Sequence, residues 1–213
     1  RQLRDSEEVP GRTGRLLPGK LYRALCLNDA RIFEKQRLGD QSRVSVDLLL
    51  DASTSQEERT ELVARQAYIL AESLSALKLP VRVWGYLSMS GYTVLTRYRD
   101  YEEHEKNEEI FRYFTAGANR DGLAYRAVGE LMAEYPSERK ILIVLSDVTP
   151  NDMVKFLYQG QEQAYAGEGA IENAAKEVRA VCASGVTALC VYTGDDAGLP
   201  AVQRVFGQNF VKI

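Results

Sequence analysis

The chain has 213 residues, of which 45% are hydrophobic and 27% are charged, values typical of a soluble globular protein with a sizeable core. Lys and Arg total 27 against 30 Asp and Glu, so the formal net charge is −3. This balance gives no electrostatic reason to expect a nucleic acid or an anionic membrane as a partner. No run approaches the roughly 20 apolar residues of a membrane-spanning helix, and we expect no membrane insertion.

Cysteine and histidine are scarce, which narrows the available chemistry. The three cysteines form an odd, sparse set that argues against a disulfide scaffold and favours a reducing compartment. We therefore expect a cytoplasmic protein. The single histidine, His104, excludes a multi-histidine zinc site, and it excludes a Ser-His-Asp triad unless His104 itself takes part.

The amino-terminal part of the chain differs in pattern from the rest. Residues 1–42 are predicted to be a linker or lead-in segment, because Gly and Pro punctuate the first 20 residues. A helix is expected around Tyr22–Leu27. The first strong strand signal is Val44–Leu50, which is β-prone and ends in a continuous apolar run, as buried parallel strands do.

Helical and strand patterns alternate after that strand. Apolar residues then recur at alternating spacings of four and three, which predicts one face of a long helix that Pro80 ends. These residues are Val63, Ala67, Leu70, Leu74 and Leu77. Val81–Met89 and Tyr92–Tyr98, joined by a turn at Ser90-Gly91, predict a β-hairpin.

The second half of the chain continues the alternation. Its predicted elements are a charged loop over Asp100–Glu109, a helix around Ala124–Met132, a strand Lys140–Ser146, a helix Gly169–Ser184, a strand Val186–Tyr192, a short helix Leu199–Phe206 and a last strand Phe210–Ile213. Strands that alternate with helices indicate a parallel sheet. For residues 43–213 we predict an α/β fold, with a doubly wound, mostly parallel central sheet, one antiparallel edge strand and helices on both faces.

Three polar clusters stand where such a fold binds ligands, at the carboxyl ends of the strands. Asp51-Ala52-Ser53-Thr54-Ser55 follows a strand, Gly117–Gly122 opens a helix, and Ser146–Asp152 follows the most apolar strand. Carboxylate, hydroxyl and amide oxygens are the ligands that hard cations such as Mg²⁺ prefer. Helix capping by Ser and Asp is the alternative explanation for the first two clusters.

The order of these clusters resembles the von Willebrand factor A domain over roughly residues 43–213. Asp51, Ser53 and Ser55 match that family's Asp-x-Ser-x-Ser motif, Asn119 stands where the family usually has Thr, and Asp147 matches its last Asp. The resemblance implies a metal-ion-dependent adhesion site for Mg²⁺, or for Mn²⁺ or Ca²⁺. The residues implied as its ligands are Asp51, Ser53, Ser55, Asn119 and Asp147, with Asp121 just outside the ligand set.

Two positions of this sequence, Asn119 and Val148, depart from the family pattern. The amide oxygen of Asn119 can replace the usual Thr hydroxyl as a ligand, directly or through water. Val148 follows Asp147 where many A domains have Gly. Because a β-branched residue disfavours positive φ, we expect this loop to follow a different path.

A narrower resemblance is to the bacterial NorD-type proteins and to CobT-type cobaltochelatase subunits. It rests on Leu48–Ser55, Asn119–Gly122, Leu145–Asp147 and the ending Leu199-Pro200 with Val205–Phe210. In those proteins the A domain follows a long amino-terminal segment, so we expect this chain, which lacks an initiating Met, to be part of a longer protein. The resemblance implies a role with a MoxR-type AAA+ ATPase in maturing a metalloenzyme client such as nitric oxide reductase.

The predicted function is binding and not catalysis. We expect a metal-dependent domain that recognises an acidic group on a protein partner, since no general base, nucleophile or nucleotide loop accompanies the clusters. One alternative is a metal-dependent phosphohydrolase with Asp51 as nucleophile, which is disfavoured because Ser53 stands where such enzymes usually have a second acid. The other alternative is a metal-free interaction scaffold.

Overall fold

The chain divides into two compact units, residues 1–41 and residues 42–213. A computed structural model describes residues 8–11, 15–16, 33–36 and 44–213. Strands β1 (Glu8–Gly11), β2 (Arg15–Leu16) and β3 (Phe33–Gln36) form an antiparallel sheet in the order β1-β3-β2. These three short strands lie within the segment that was predicted as a linker or lead-in. The helix predicted around Tyr22–Leu27 lies outside the described residues.

The second unit alternates strands and helices. Its strands are β4 (Val44–Asp51), β5 (Val81–Met89), β6 (Tyr92–Arg99), β7 (Arg139–Ser146), β8 (Asn151–Tyr158), β9 (Gln161–Ala166), β10 (Val186–Tyr192) and β11 (Phe210–Lys212). Its α-helices are α1 (Thr60–Ala76), α2 (Asp121–Ala133), α3 (Gly167–Ala183) and α4 (Leu199–Phe206), and its 3₁₀ helices are Thr54–Arg59, Asn107–Arg112 and Asp196–Gly198.

Six of these strands form the central sheet, in the order β11-β10-β7-β4-β5-β6. Neighbouring strands run parallel, except that β6 pairs antiparallel with β5 at one edge. The predicted α/β architecture with one antiparallel edge strand is therefore confirmed. The nearly continuous apolar runs of β4 and β7 follow from their central position, where both faces of the sheet are covered.

Helices cover both faces of this sheet, as predicted. Leu48 and Leu50 of β4 pack in one core with buried residues of α1, such as Val63. Leu49, on the opposite face of the same strand, packs in a second core with α2, α3 and α4, represented by Ala124 and Ala174. Successive strand residues alternate between the two cores, since side chains point to opposite faces of a sheet.

The crossover of the chain fixes where a ligand site can form. From β4 the chain passes to β5 and β6, which lie on one side of β4 within the sheet. It then returns to β7, which pairs with β4 on its other side. The carboxyl ends of β4 and β7 consequently border a switch point, the usual ligand position in open α/β sheets.

A second hairpin, formed by β8 and β9, follows this switch point and was not predicted. It forms its own two-stranded sheet, and Asn151 at its start pairs with Asn119 in an isolated bridge. Among the described residues, no helix is both long enough and apolar enough to cross a membrane.

Candidate metal site at the switch point

The residues predicted from the three clusters meet at this edge of the sheet. Asp51 is the last residue of β4, and Asp147 directly follows β7, its neighbour in the sheet. The segment before α2 lies across the same edge, because the Ala116 N–H donates to the Ala52 carbonyl over 2.8 Å. That contact brings Asn119 to Asp51, with 3.4 Å between the amide nitrogen and the carboxylate.

Asp51 lies at the bottom of the site and is completely buried. Its Oδ1 accepts the Ser53 N–H at 3.0 Å, and its Oδ2 accepts the Ser146 hydroxyl at 2.7 Å. Its main-chain carbonyl accepts the Tyr113 hydroxyl. Ser146 was not predicted as a site residue, although its place at the end of the strand beside β4 is the signal that could have identified it.

The two hydroxyls of the first motif lie side by side. Ser53 Oγ and Ser55 Oγ are 3.0 Å apart, with Ser53 buried and Ser55 exposed. Ser53 precedes the 3₁₀ helix Thr54–Arg59 in an extended conformation, but its side chain makes no capping hydrogen bond. The capping explanation therefore does not account for this serine, and the pair presents two neutral oxygens at the mouth of the site.

Asn119 has partners that differ from those expected of a ligand. Its Oδ1 accepts the Asn151 N–H at 3.0 Å, while its Nδ2 donates to Asp121 at 2.9 Å and faces Asp51. A flipped amide would place its NH₂ group against the Asn151 donor and its oxygen against two carboxylates, which is unfavourable. In the observed arrangement Asn119 bridges the two carboxylates by hydrogen bonds, and its ligation of a cation, directly or through water, stays a prediction.

Asp121, which the family resemblance places just outside the ligand set, is linked to Asn119 by a hydrogen bond. It is the first residue of α2 and is completely buried. Its Oδ1 accepts the Tyr86 hydroxyl at 3.0 Å, and its Oδ2 accepts the Tyr125 hydroxyl at 3.3 Å. Neutral donors therefore hold this carboxylate, which has no basic partner within the described part of the chain.

Asp147 is nearly buried and begins a tight loop. Its Oδ1 accepts the Thr149 N–H at 3.1 Å, and its Oδ2 lies 3.9 Å from Nη1 of Arg59. The next residue, Val148, has a φ of 52°, so it adopts the left-handed conformation that we expected it to avoid. The Val148 N–H donates to Ser146 Oγ at 2.9 Å, and the valine side chain is buried, which offsets the backbone strain.

Two of the carboxyl groups, those of Asp51 and Asp121, have raised pKa values. Burial raises the pKa of Asp51 to about 6, and the negative charge of Asp147 contributes to the rise. Burial also raises the pKa of Asp121 well above its ordinary value, with a further contribution from the charge of Asp51. Because ionisation is opposed at two positions, this cluster favours a bound proton or a bound cation.

The donor set fits a hard divalent cation. No group of three or more His, Cys, Asp or Glu side chains between residues 44 and 213 is arranged to hold a metal ion. A cation at this edge would instead depend on the Ser53 and Ser55 hydroxyls, with Asp51 and Asp147 binding directly or through water. Oxygen donors supplemented by several waters are the usual environment of Mg²⁺.

Comparisons with known proteins address the fold. Protein-family profiles and curated proteins give no match to the sequence. Solved structures do match. The von Willebrand factor domain of the pilus tip protein Mfa5 from Porphyromonas gingivalis has a TM-score of 0.58 at 12% identity, over 80% of this chain and 89% of its own. The second unit has a von Willebrand factor A-like fold.

Two further structures share this A-like fold. Manganese-loaded TRAP protein from Plasmodium vivax has a TM-score of 0.58 at 13% identity, over 80% of this chain and 68% of its own. The pilus adhesin SpaC from Lactobacillus rhamnosus GG has a TM-score of 0.56 at 17% identity. The match covers 81% of this chain but only 28% of SpaC. At such low identities the similarity lies in the fold.

Proposed function

We propose that the A-like unit is a metal-ion-dependent protein-interaction domain, which binds one Mg²⁺ and recognises an acidic group on a partner. The observation that carries the proposal is the pair of Ser53 and Ser55 hydroxyls at the mouth of a site whose buried carboxylates lack full neutralisation. Structural similarity to a pilus adhesin and to a manganese-loaded protein supports the same conclusion. Mn²⁺ and Ca²⁺ take oxygen ligands too and are the alternative ions.

The chemistry of the donors explains why such a site would seek an acidic partner. Hydroxyl ligands leave the charge of the cation unneutralised, and carboxylates that bind through water neutralise it only in part. The ion then remains electrophilic and retains a position for one more oxygen ligand. A carboxylate on a partner protein supplies both the oxygen and the missing negative charge.

Binding is favoured over catalysis because of where Asp51 lies. A phosphohydrolase would need this carboxylate as an accessible nucleophile, but the side chain is completely buried and both oxygens accept hydrogen bonds. We therefore propose that the protein is not an enzyme. An assay of phosphomonoester hydrolysis with added Mg²⁺ tests this, and turnover that Asp51→Asn abolishes would favour the phosphohydrolase.

The partner we propose is a MoxR-type AAA+ ATPase, a metalloenzyme client, or both, in the cytoplasm. This finer proposal rests on the motif resemblance to NorD-type and CobT-type proteins. Large apolar side chains on both hairpins provide contact area that a protein partner can cover. The most exposed are Tyr92, Met153 and Leu157, at 74%, 87% and 71%.

Metal binding is the first expected result. Calorimetric titration of the metal-free protein with MgCl₂ should show one weak site, because few charged ligands contact the ion before a partner arrives. The double variant Ser53→Ala/Ser55→Ala should bind at least about tenfold more weakly. Ser73→Ala is the matched control, since its exposed hydroxyl bonds to the Ile69 carbonyl within α1. Equal binding by wild type and the double variant would remove the site assignment.

Partner binding should depend on the same ion. Metal and partner carboxylate each complete the other's site, so each must strengthen the other's binding. We expect association with the partner ATPase or client to weaken by about 5–150-fold in chelator, measured by surface plasmon resonance with purified proteins. Ser53→Ala/Ser55→Ala should have the same effect in Mg²⁺. Affinity unchanged by chelator would favour the metal-free scaffold.

A further inference from the structure

The candidate site carries more negative charge than its surroundings neutralise. Asp51 and Asp121 are completely buried, and Asp147 is 6% exposed. In the part of the chain that the structure describes, the one ion pair to any of these carboxylates joins Asp147 to Arg59. Arg59 is therefore the positive charge that faces the cluster at short range.

The contact that Arg59 makes is a loose one. Its Nη1 lies 3.9 Å from Asp147 Oδ2, beyond hydrogen-bonding distance, and 37% of its side chain is exposed. Because of this distance, the guanidinium can move away from Asp147 without breaking a hydrogen bond to the carboxylate. Because it is partly exposed, water can solvate it when it moves. A contact of this kind attracts through charge without holding a fixed geometry.

The position of Arg59 along the chain links it to the predicted ligands. It is the last residue of the 3₁₀ helix Thr54–Arg59, which begins directly after Ser53 and contains Ser55. The same short helix thus presents a candidate cation ligand at its start and a cationic side chain at its end. A divalent cation beside the hydroxyl pair and Asp147 would approach the guanidinium closely, and like charges repel strongly in a partly buried site.

We propose that Arg59 is the resident counter-ion of this carboxylate cluster, and that a divalent cation competes with its guanidinium for Asp147. The proposal rests on the function proposed above, because it describes how that metal site is regulated. Arg59 neutralises part of the cluster when the metal is absent and lowers the affinity for the metal when it arrives. Metal occupancy then depends more strongly on an acidic partner, which restores the balance of charge.

The test compares metal affinities of charge variants. Arg59→Gln should bind Mg²⁺ about five- to twentyfold more tightly than wild type in calorimetry at low salt, because a positive charge near a dication has been removed. The difference should shrink in 0.5 M salt, since exposed charges are screened. Arg59→Lys keeps the charge and should bind as wild type does.

A second arginine provides the matched control. Arg65 pairs with Glu61 on the surface of α1 at 2.6 Å, and its side chain is 61% exposed. Arg65→Gln removes the same charge from the protein without touching Asp147, so its Mg²⁺ affinity should stay within about twofold of wild type. Equal tightening by both glutamine variants would mean that only net charge matters, and the proposal would be overturned. Unchanged or weaker binding by Arg59→Gln would overturn it too.

Failure of the proposed function gives a different result. If neither wild type nor Arg59→Gln binds any metal, the proposed function is wrong, and the ion pair is then tested without metal. Urea midpoints of wild type, Arg59→Gln, Asp147→Asn and the double variant form a thermodynamic cycle. Non-additive effects would support Arg59 as the counter-ion of Asp147, whereas additive effects would overturn that assignment.

Discussion

Leu142→Ala is expected to lower the free energy of unfolding by about 2–5 kcal/mol, whereas Asp147→Ala should change it by about 1 kcal/mol or less. Leu142 is completely buried in β7, where it packs in the core that α2, α3 and α4 cover. Truncation removes its apolar contacts and leaves a cavity between elements that cannot close around it. Val144→Ala, on the same face of the same strand, should also destabilise the protein.

Asp147 differs from Leu142 because replacing it by alanine has opposing effects on the free energy of unfolding. Alanine loses the hydrogen bond from the Thr149 N–H and the loose ion pair with Arg59. It also removes a negative charge that opposes the ionisation of Asp51. Urea denaturation of metal-free protein at pH 7 measures the comparison. A loss larger for Asp147→Ala than for Leu142→Ala would show that Asp147 is mainly a structural residue of the loop.

The central sheet was predictable because its signals are local. The bounds of β5, β10 and α4 agree with the predicted Val81–Met89, Val186–Tyr192 and Leu199–Phe206. Each of these elements is an apolar pattern delimited by turn residues or Pro, so its neighbours along the chain suffice to define it. The alternation of such elements then leaves few topologies other than a parallel sheet covered on both faces.

The β8–β9 hairpin shows where local signals fail. Its turn places Gln159 and Gly160 at φ values of 51° and 79°, the conformation for which Asn-Gly is the common sequence. Glutamine at the first position weakens that signal. The first residues of β8, Asn151 and Asp152, belong to the third polar cluster, and their polar side chains give no strand signal at the point where the strand begins.

The site was predictable as a set of residues but not in its hydrogen bonding. Motif order predicted that Asp51, Ser53 and Asp147 lie near one another at one edge of the sheet, and the structure places them at that edge. The bridging orientation of Asn119 depends on Asn151, which only the unpredicted hairpin brings into place. The positive φ of Val148 is likewise stabilised by tertiary burial and not by its own conformational preference.

Asp51→Asn is expected to remove metal binding and, without metal, to stabilise the protein at pH 7 by up to about 3 kcal/mol. Asparagine keeps the shape of the side chain, and its oxygen can still accept the Ser53 N–H. Its amide nitrogen can donate to Ser146 Oγ after the serine hydroxyl rotates, and the Asn119 Nδ2 group, which loses its long contact with this position, keeps its hydrogen bond to Asp121. The substitution thus removes a buried charge without opening a cavity.

The pH dependence of wild type gives the sign of this effect. Burial raises the pKa of Asp51 from 3.8 to about 6 in the folded protein. Between pH 4 and pH 6 the unfolded chain loses this proton while the folded protein keeps it, so rising pH favours unfolding. The contribution of Asp51 is therefore present below about pH 4 and is lost as the pH rises through about 6, and the raised pKa of Asp121 acts in the same direction.

Chemical denaturation from pH 4 to pH 7, with and without Mg²⁺, measures this dependence. Metal-free Asp51→Asn should lose less stability over this range than wild type. Saturating Mg²⁺ should stabilise wild type but not Asp51→Asn, because the ion, directly or through water, favours the ionised carboxylate. Asp196→Asn, which removes an exposed carboxylate from the 3₁₀ helix after β10, controls for net charge and should keep the wild-type slope. The opposite result is an Asp51→Asn protein that is less stable than wild type at pH 7 and retains the wild-type pH dependence. It would show that Asp51 is a structural hydrogen-bond acceptor and that the fold tolerates the negative charge of the cluster without a cation.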